Sequence, residues 1–104
     1  MQLYPLKLVT VVGETVIMDD IAEEALALGA TGFTMTEVIG RGARNARNVI
    51  DTGGAKTMRL EFVVPMDVAA KILTHVSHNY FEHYACIAWI ADVQVVRGQQ
   101  YTSS

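Results

Sequence analysis

Three arginines stand close together in a chain that is acidic overall. Arg41, Arg44 and Arg47 lie between Glu37 and Asp51, and no acidic residue separates them. The formal net charge of the whole chain is −3. A guanidinium group can bind a phosphate through two parallel hydrogen bonds, so arginines grouped in this way favour anion binding. This segment therefore predicts a site for a small anion, with phosphate as the favoured ligand.

Glycines flank the first of these arginines. Gly40 and Gly42 carry no Cβ, so the backbone between them could approach a ligand and present its amide N–H groups. The connection from about Gly40 to Thr57 is also much longer than an ordinary hairpin loop of about two to five residues. Such a loop is either functional or a solvated segment whose arginines only aid solubility, and composition leaves both interpretations open.

Hydrophobic periodicity predicts the elements that carry this loop. Leu6–Val12 is almost continuously apolar and β-branched, which predicts a strand. Val16–Leu28 repeats apolar residues every three to four positions, which predicts a helix that ends at Gly29. Further strands are predicted at Gly32–Ile39, Met58–Val64 and Cys86–Arg97, with a second helix after Pro65 that ends near Tyr80. The order βαββαβ predicts one α+β domain over residues 1–104, with a ferredoxin-like arrangement.

Two helices can cover only one face of a four-stranded sheet. The last predicted strand places Ile87 and Trp89 on one face, and Ile90 and Val96 on the other. The uncovered face therefore carries apolar side chains, and 51% of the residues in this small chain are hydrophobic. We expect a homotrimer in which copies of the chain cover that face.

Composition excludes several classes of protein. An acidic chain lacks the basic face of a general nucleic-acid binder. Its apolar runs are shorter than the roughly 18 residues of a transmembrane helix. Residues 1–7 have neither the basic start nor the apolar run of a signal peptide. The single cysteine, Cys86, excludes an intramolecular disulfide and fits a reducing compartment. We therefore expect a cytoplasmic protein that neither binds nucleic acid nor inserts into a membrane.

Two sequence segments resemble the PII signal-transduction proteins. Ala30-Thr-Gly-Phe-Thr-Met-Thr-Glu-Val-Ile-Gly-Arg-Gly is similar to the family's second strand and T-loop entrance, Gly-x-Thr-x-(Thr/Ser)-Glu-Val-x-Gly-x-Gly. Leu60-Glu-Phe-Val-Val-Pro-Met-Asp is similar to its third strand and Val-Val-Pro-Asp-Asp helix entry. The resemblance covers about residues 6 to 97. It implies a trimeric regulator that binds adenine nucleotides between subunits and signals through its T-loop, here about residues 40–57.

The resemblance also assigns residues to the nucleotide cleft. One subunit would provide residues around the adenine and ribose, the adjoining subunit would provide the start of the last strand, and one arginine matches a family position that contacts phosphate. The residues around the adenine and ribose are Phe33, Thr34, Met35 and Glu61. Those at the start of the last strand are Ile87 and Ala88, and the arginine is Arg97.

The chain departs from the nitrogen-regulatory PII pattern in two places. The tyrosine that is modified in the family's T-loop has no counterpart between Gly42 and Gly54. The family's Gly-Asp-Gly-Lys loop before the last strand is replaced by Glu82-His-Tyr-Ala-Cys. The second difference removes the flexible cradle and the lysine that serve a triphosphate. It therefore argues against a PII protein that senses ATP and 2-oxoglutarate, which is kept only as an alternative.

Other segments resemble a PII-like branch that is linked to bicarbonate transporters and carboxysomes. Gly40-Arg-Gly-Ala-Arg-Asn-Ala-Arg is similar to that branch's Gly-x-Gly-Ser-Arg-Asn-x-Arg loop, and Tyr80-Phe-Glu-His-Tyr-Ala to its Tyr-Phe-x-x-Tyr-Ala. The branch binds ADP, AMP or cyclic AMP. The resemblance implies a phosphate site at Gly40, Arg41, Gly42, Arg44, Asn45 and Arg47. It further implies bicarbonate as a possible second ligand, and a bicarbonate transporter or carboxysome component as the protein partner, with no permanent cofactor.

Two further classes share this order of elements. CutA-type trimers are tied to metal tolerance, and His75, His78, His83 and Cys86 could suggest a metal site, but those trimers lack the arginine loop. Acylphosphatases need an arginine cradle between the first strand and the first helix, where Gly13-Glu14-Thr15 offers none. We therefore expect a regulator rather than an enzyme, with a CutA-like metal-binding trimer kept as the other alternative.

Overall fold

The computed structural model of the chain describes residues 1–39 and 56–97. These ranges contain four strands and two helices. In chain order they are β1 (Leu3–Glu14), α1 (Thr15–Ala27), β2 (Thr34–Val38), β3 (Thr57–Val64), α2 (Met66–Tyr80) and β4 (Cys86–Val96). The predicted α+β class and the βαββαβ order are both confirmed. Neither helix in this part of the chain is long and apolar enough to cross a membrane.

The four strands form one antiparallel sheet in the order β2-β3-β1-β4. β1 is therefore a central strand that pairs with β3 on one side and with β4 on the other. β2 and β4 form the two edges of the sheet. Any group carried by β2 is separated from any group on β4 by the full width of two strands.

Both helices pack on the same face of the sheet and enclose one cluster of buried side chains. Apolar residues reach this cluster at alternate positions of the strands and at every third or fourth position of the helices, as the two periodicities require. The strands contribute Val9, Val11, Leu60, Phe62, Val64 and Cys86; the helices contribute Ile17, Met18, Ile21, Ala22, Ala25, Val68, Ala69, Ile72 and Val76.

β1 is longer than the sequence predicts, because it begins at Leu3 and includes Pro5. Before Lys7, β1 pairs only with β4, since the ladder with β3 starts at the pair Lys7–Val64. Proline has no backbone N–H to donate, and strands tolerate it where one side is unpaired. The N-terminal part of β1 thus forms a two-stranded ribbon with the C-terminal part of β4.

β2 is shorter than predicted and starts at Thr34 rather than Gly32. Its ladder with β3 begins at the pair Thr34–Glu61, although β3 itself continues past Glu61 to Val64 beside β1. Gly32 and Phe33 therefore lie next to the sheet without belonging to its ladder. This late start of β2 leaves an indentation at the sheet edge.

The face of the sheet opposite the helices is called the open face here. Residues directly opposite each other in an antiparallel ladder share a face, so the register defines rows across it. One row consists of Thr34, Glu61, Thr10 and Trp89. Trp89 is 44% exposed in the single chain, whereas Thr10 is 2% exposed. The predicted apolar character of this face is confirmed, but polar groups lie among the apolar ones.

Gly29 ends α1 in a conformation that other residues rarely adopt. Its φ is +123°, and a Cβ at this position would lie 3.0 Å from the Val68 Cγ2 atom. Gly32 has no positive φ, and a Cβ there would meet no atom within 4 Å. We predict that Gly29→Ala lowers the free energy of unfolding by about 1–3 kcal/mol because of backbone strain.

Gly32→Ala is the matched control and should change that free energy by less than about 1 kcal/mol, through the unfolded chain. Urea titrations of the two variants and the parent measure the difference. Equal midpoints for both variants would contradict the role assigned to Gly29.

Candidate functional site

A groove of about 450 Å³ lies at the indentation just before β2 begins. It opens beside the edge of the sheet, and its lining combines the segment before β2 with residues of β1 and β3. The lining residues are Leu8, Thr31, Gly32, Phe33, Thr34, Glu61 and Val63. Three of the seven were predicted as nucleotide contacts from the sequence, namely Phe33, Thr34 and Glu61.

The groove exists because the chain diverges from β3 before Thr34. β3 continues for three residues past Glu61 without a partner on the β2 side. Gly32 adds no side chain to this space, and no atom lies within 4 Å of the place where its Cβ would be. The backbone around Gly32 is therefore open to a ligand.

Two polar side chains face this groove from neighbouring strands. Thr34 is exposed and Glu61 is half-buried, and they are direct partners in the β2–β3 ladder. Neither side chain forms a hydrogen bond or an ion pair with another residue in the described ranges. A hydroxyl can donate or accept a hydrogen bond, and a carboxylate accepts. This pair therefore suits a ligand that carries hydroxyl or amino groups.

Apolar side chains complete the walls. Leu8 and Val63 are opposite each other in the β1–β3 ladder and are both half-buried. The rings of Phe33 and Phe62 form a T-shaped pair, with centroids 6.4 Å apart and an interplanar angle of 63°. Small-molecule sites commonly combine apolar walls with a few polar groups that fix orientation. A flat heterocycle next to a sugar fits this combination.

Met35 lies beside these residues in sequence but on the other face of the sheet. Its side chain packs against the buried cluster under the helices. Because strand residues alternate between faces, Thr34 and Met35 cannot both direct their side chains at the groove. Any contact from Met35 to a ligand there is limited to its backbone, and its predicted role stays a prediction.

Ile87 and Ala88 lie at the opposite edge of the sheet, on β4. Ile87 pairs with Val12 on the open face, and Ala88 packs against the buried cluster. Three strand spacings separate Thr34 from β4, which is about 14 Å. One chain therefore does not bring these two halves of the predicted cleft together, and only a second copy could add Ile87 to the groove.

Arg97 follows directly after β4 and has a left-handed backbone with φ of 66°. Its side chain is exposed. About 33 Å of strand separates it from Ile87 at the other end of β4. One mononucleotide could not touch both residues of the same chain, so the two predicted contacts would have to come from different copies.

The predicted phosphate contacts Gly40, Arg41, Gly42, Arg44, Asn45 and Arg47 lie outside the described residues. The structure does describe the residues on both sides of that segment. The carbonyl of Lys56 accepts hydrogen bonds from the Thr15 backbone N–H at 3.3 Å and from the Thr15 hydroxyl at 3.0 Å. The Lys56 ammonium lies 3.4 Å from the Glu37 carboxylate. The segment 40–55 thus leaves and rejoins the sheet four residues along β2 from Thr34, about 13 Å from the groove.

Two of the histidines considered for a metal site lie beside carboxylates. The His75 Nε2 atom lies 2.6 Å from a carboxylate oxygen of Glu24, while His83 is exposed beside Glu82. Among the described residues, no group of three His, Cys, Asp or Glu side chains has a geometry that could hold a metal. Burial raises the pKa of the Cys86 thiol to about 12, with a smaller contribution from the Glu14 carboxylate, so the thiolate that binds metals is disfavoured.

A model of the family described as nitrogen regulatory protein P-II matches residues 6–100 of this chain. That match spans nearly the whole domain, including the groove and the arginine segment. The chain belongs to the PII family.

Solved structures of PII proteins share the fold over almost their entire length. A PII-like signalling protein of Thermus thermophilus is 40% identical, with 98% of this chain and 100% of that chain covered and a TM-score of 0.82. CPII of Thiomonas intermedia, bound to ADP, AMP and acetate, is 19% identical, with 97% and 98% covered and a TM-score of 0.81. The same protein bound to ADP, AMP and bicarbonate is 21% identical, with 92% and 98% covered and a TM-score of 0.76.

The raised pKa of Cys86 has a measurable consequence. A pKa of about 12 in the folded protein, against an ordinary 9.0, leaves little thiolate at pH 8. We predict that iodoacetamide alkylates native Cys86 on the order of 100-fold more slowly than the urea-unfolded chain, because the thiolate is the nucleophile. A rate in the native protein close to that of the unfolded chain would contradict the buried, neutral thiol.

The raised pKa of Cys86 also makes the stability of the folded protein fall at high pH. The folded protein holds the thiol proton more tightly, so this contribution to stability is complete below pH 9.0 and is lost as the pH rises toward about 12. Cys86→Ser provides the comparison, because it removes the titrating group.

Proposed function

We propose that this PII-family protein is a trimeric regulator that binds an adenine nucleotide in each cleft between subunits. The domain would comprise residues 1–104, with the T-loop at about 40–57. The observation that carries the proposal is the groove at the start of β2, where the side chains of Thr34 and Glu61 form no hydrogen bond or ion pair with another described residue. The groove has the size, apolar walls and hydrogen-bonding groups that a nucleoside needs.

The two ends of the nucleotide would be held by different parts of the chain. The adenine and ribose would occupy the groove between Phe33 and Val63, where the Glu61 carboxylate can accept hydrogen bonds from hydroxyl or amino groups. The phosphates would extend along β2 toward the segment 40–55, whose flanking residues begin about 13 Å away. Arg41, Arg44 and Arg47, together with the backbone of Gly40 and Gly42 and the Asn45 amide, would then bind the phosphate.

The order of the strands supports a site shared between copies. Thr34 and Glu61 lie at the β2 edge, whereas Ile87 and Ala88 lie at the β4 edge. A head-to-tail arrangement places the β2 edge of one copy beside the β4 edge of the next, and it forms a ring when the rotation between copies closes. A trimer, which is the assembly typical of PII proteins, would contain three such clefts. Arg97 would reach a phosphate only across a boundary between copies.

The effector would be ADP, AMP or cyclic AMP, and bicarbonate is the candidate second ligand. CPII of Thiomonas intermedia, which shares the fold, has been solved with ADP and bicarbonate. The arginine segment of this chain also resembles the branch of the family that is linked to inorganic carbon. We therefore place the protein in the cytoplasm as a non-enzymatic regulator of bicarbonate uptake or carbon fixation. Its T-loop would dock on a transporter or a carboxysome component.

Calorimetry with the full chain tests the nucleotide site. We expect saturable heat with AMP, ADP or cyclic AMP and weaker binding of ATP, because residues 81–85 between α2 and β4 contain no lysine or glycine to serve a third phosphate. Repeating the titration with bicarbonate present shows whether bicarbonate changes the affinity. No heat with any of the four nucleotides would exclude the proposed function.

Arg47→Ala should weaken binding of the preferred nucleotide by about tenfold or more, since a hydrogen bond between charged groups contributes about 1.5–3 kcal/mol. Lys71→Ala is the matched control, because it removes the same charge from an exposed position on α2. Light scattering should give three copies of the 11.4 kDa chain, about 34 kDa, for the parent and both variants. Equal affinities for the two variants would remove Arg47 from the site.

A further inference from the structure

The turn between α2 and β4, residues 81–85, is held at both ends by carboxylates from the β1–α1 part of the chain. Glu14 contacts the end of the turn, and Glu24 contacts the residue before its start. The turn contains no glycine. It leads directly into β4, where Ile87 and the backbone of Ala88 are proposed to contact the nucleotide of a neighbouring subunit.

Glu14 extends the β1–β4 ladder past its last regular pair. That pair joins Gly13 to Cys86. One residue further, the Glu14 backbone N–H donates to the Ala85 carbonyl at 3.2 Å. The Ala85 N–H donates to the Glu14 carboxylate at 2.7 Å in a partly buried position. A hydrogen bond from an amide to a carboxylate is stronger than one between neutral groups.

The Glu14 carboxylate forms this hydrogen bond instead of capping the N-terminus of α1. Glu14 is the N-cap residue of α1, yet its side chain makes no capping hydrogen bond. Space is also limited at this junction, because a Cβ on Gly13 would lie 2.8 Å from the Ala85 carbonyl oxygen. The end of β1 and the end of the turn are therefore in direct backbone contact, and Glu14 fixes their spacing.

The start of the turn is held independently. The Tyr80 hydroxyl donates to the Glu24 carboxylate, at 2.8 Å and 2.9 Å from its two oxygens. The backbone N–H groups of His83 and Tyr84 donate to the Tyr80 carbonyl at 3.3 Å and 3.1 Å. The rings of Tyr80 and Tyr84 lie 6.0 Å apart. After these contacts, the hydrogen bond from Ala85 to Glu14 is the last one that holds the turn before β4 begins.

We propose that Glu14 is a positioning residue for the β4 side of the nucleotide cleft. It binds the amide of Ala85, two residues before Ile87, and so holds the start of β4 in place before a ligand arrives. Binding then avoids the free-energy cost of ordering that segment. This inference rests on the proposed function, because it concerns the affinity of the same site, but it assigns a residue that touches no ligand.

Two substitutions separate the reach of the side chain from its charge. Glu14→Gln keeps the length and an oxygen acceptor but removes the charge. Glu14→Asp keeps the charge but is one methylene too short to reach the Ala85 N–H. If Glu14 acts by position, Glu14→Gln should bind nucleotide within about twofold of the parent. Glu14→Asp should bind about five- to tenfold more weakly, because part of the ordering cost returns at binding.

Hydrogen exchange of the Ala85 amide, measured without nucleotide, provides a readout that does not depend on the ligand. We expect protection in the parent and in Glu14→Gln, and faster exchange in Glu14→Asp. Ile72→Val serves as the stability control, because it loosens the buried cluster without touching the turn. It should lower stability and leave both nucleotide affinity and Ala85 exchange unchanged.

The outcomes distinguish the two proposals. If the parent binds no adenine nucleotide in calorimetry, the proposed function fails, and the role of Glu14 in that site fails with it. If the parent binds but Glu14→Asp binds equally well, the positioning role is wrong while the nucleotide site stands. Weaker binding by Glu14→Gln than by Glu14→Asp would also overturn the inference, since it would show that charge matters and reach does not.

Discussion

The pairing of β1 with β3 on one side and β4 on the other is the constraint on which the candidate site depends. It makes β2 and β4 the two edges of one sheet and separates them by about 14 Å. Residues assigned to a single cleft are thereby divided between opposite edges. A complete cleft would require two copies of the chain, so assembly and ligand binding would be linked by the strand order itself.

The fold could be predicted from the sequence because its pattern is local. The apolar periods of the helices, the alternation in β3 and Gly29 after α1 each identify an element within a few residues. The bounds of β1 and β2 were less accurate. The apolar run predicted a strand from Leu6, but β1 begins at Leu3 and includes Pro5, because an unpaired side makes proline acceptable there. Gly32 and Phe33 have strand-like neighbours, yet they leave the ladder and form the groove instead.

The site could be predicted only in part. The resemblance placed Phe33, Thr34 and Glu61 at one site, and all three line the groove. Leu8 and Val63 were missed, although Val63 lies two residues after Glu61 and so shares its face of β3. The contacts of Glu14 and Glu24 join residues 71 and 56 positions apart in sequence. No local sequence pattern predicts such contacts, since they depend on how the helices and the sheet are assembled.

The close approach at Gly13 links two positions that seem unrelated in the sequence. With the Ala85 carbonyl only 2.8 Å from a Cβ at position 13, any larger residue must push the α2–β4 turn away from β1. Within the PII family, we therefore expect position 13 and the turn to vary together. Homologues with a short, braced turn should keep glycine there, and homologues whose turn stands further from β1 should accept alanine or serine. Comparing paired positions across many relatives would then reveal which members have an anchored turn.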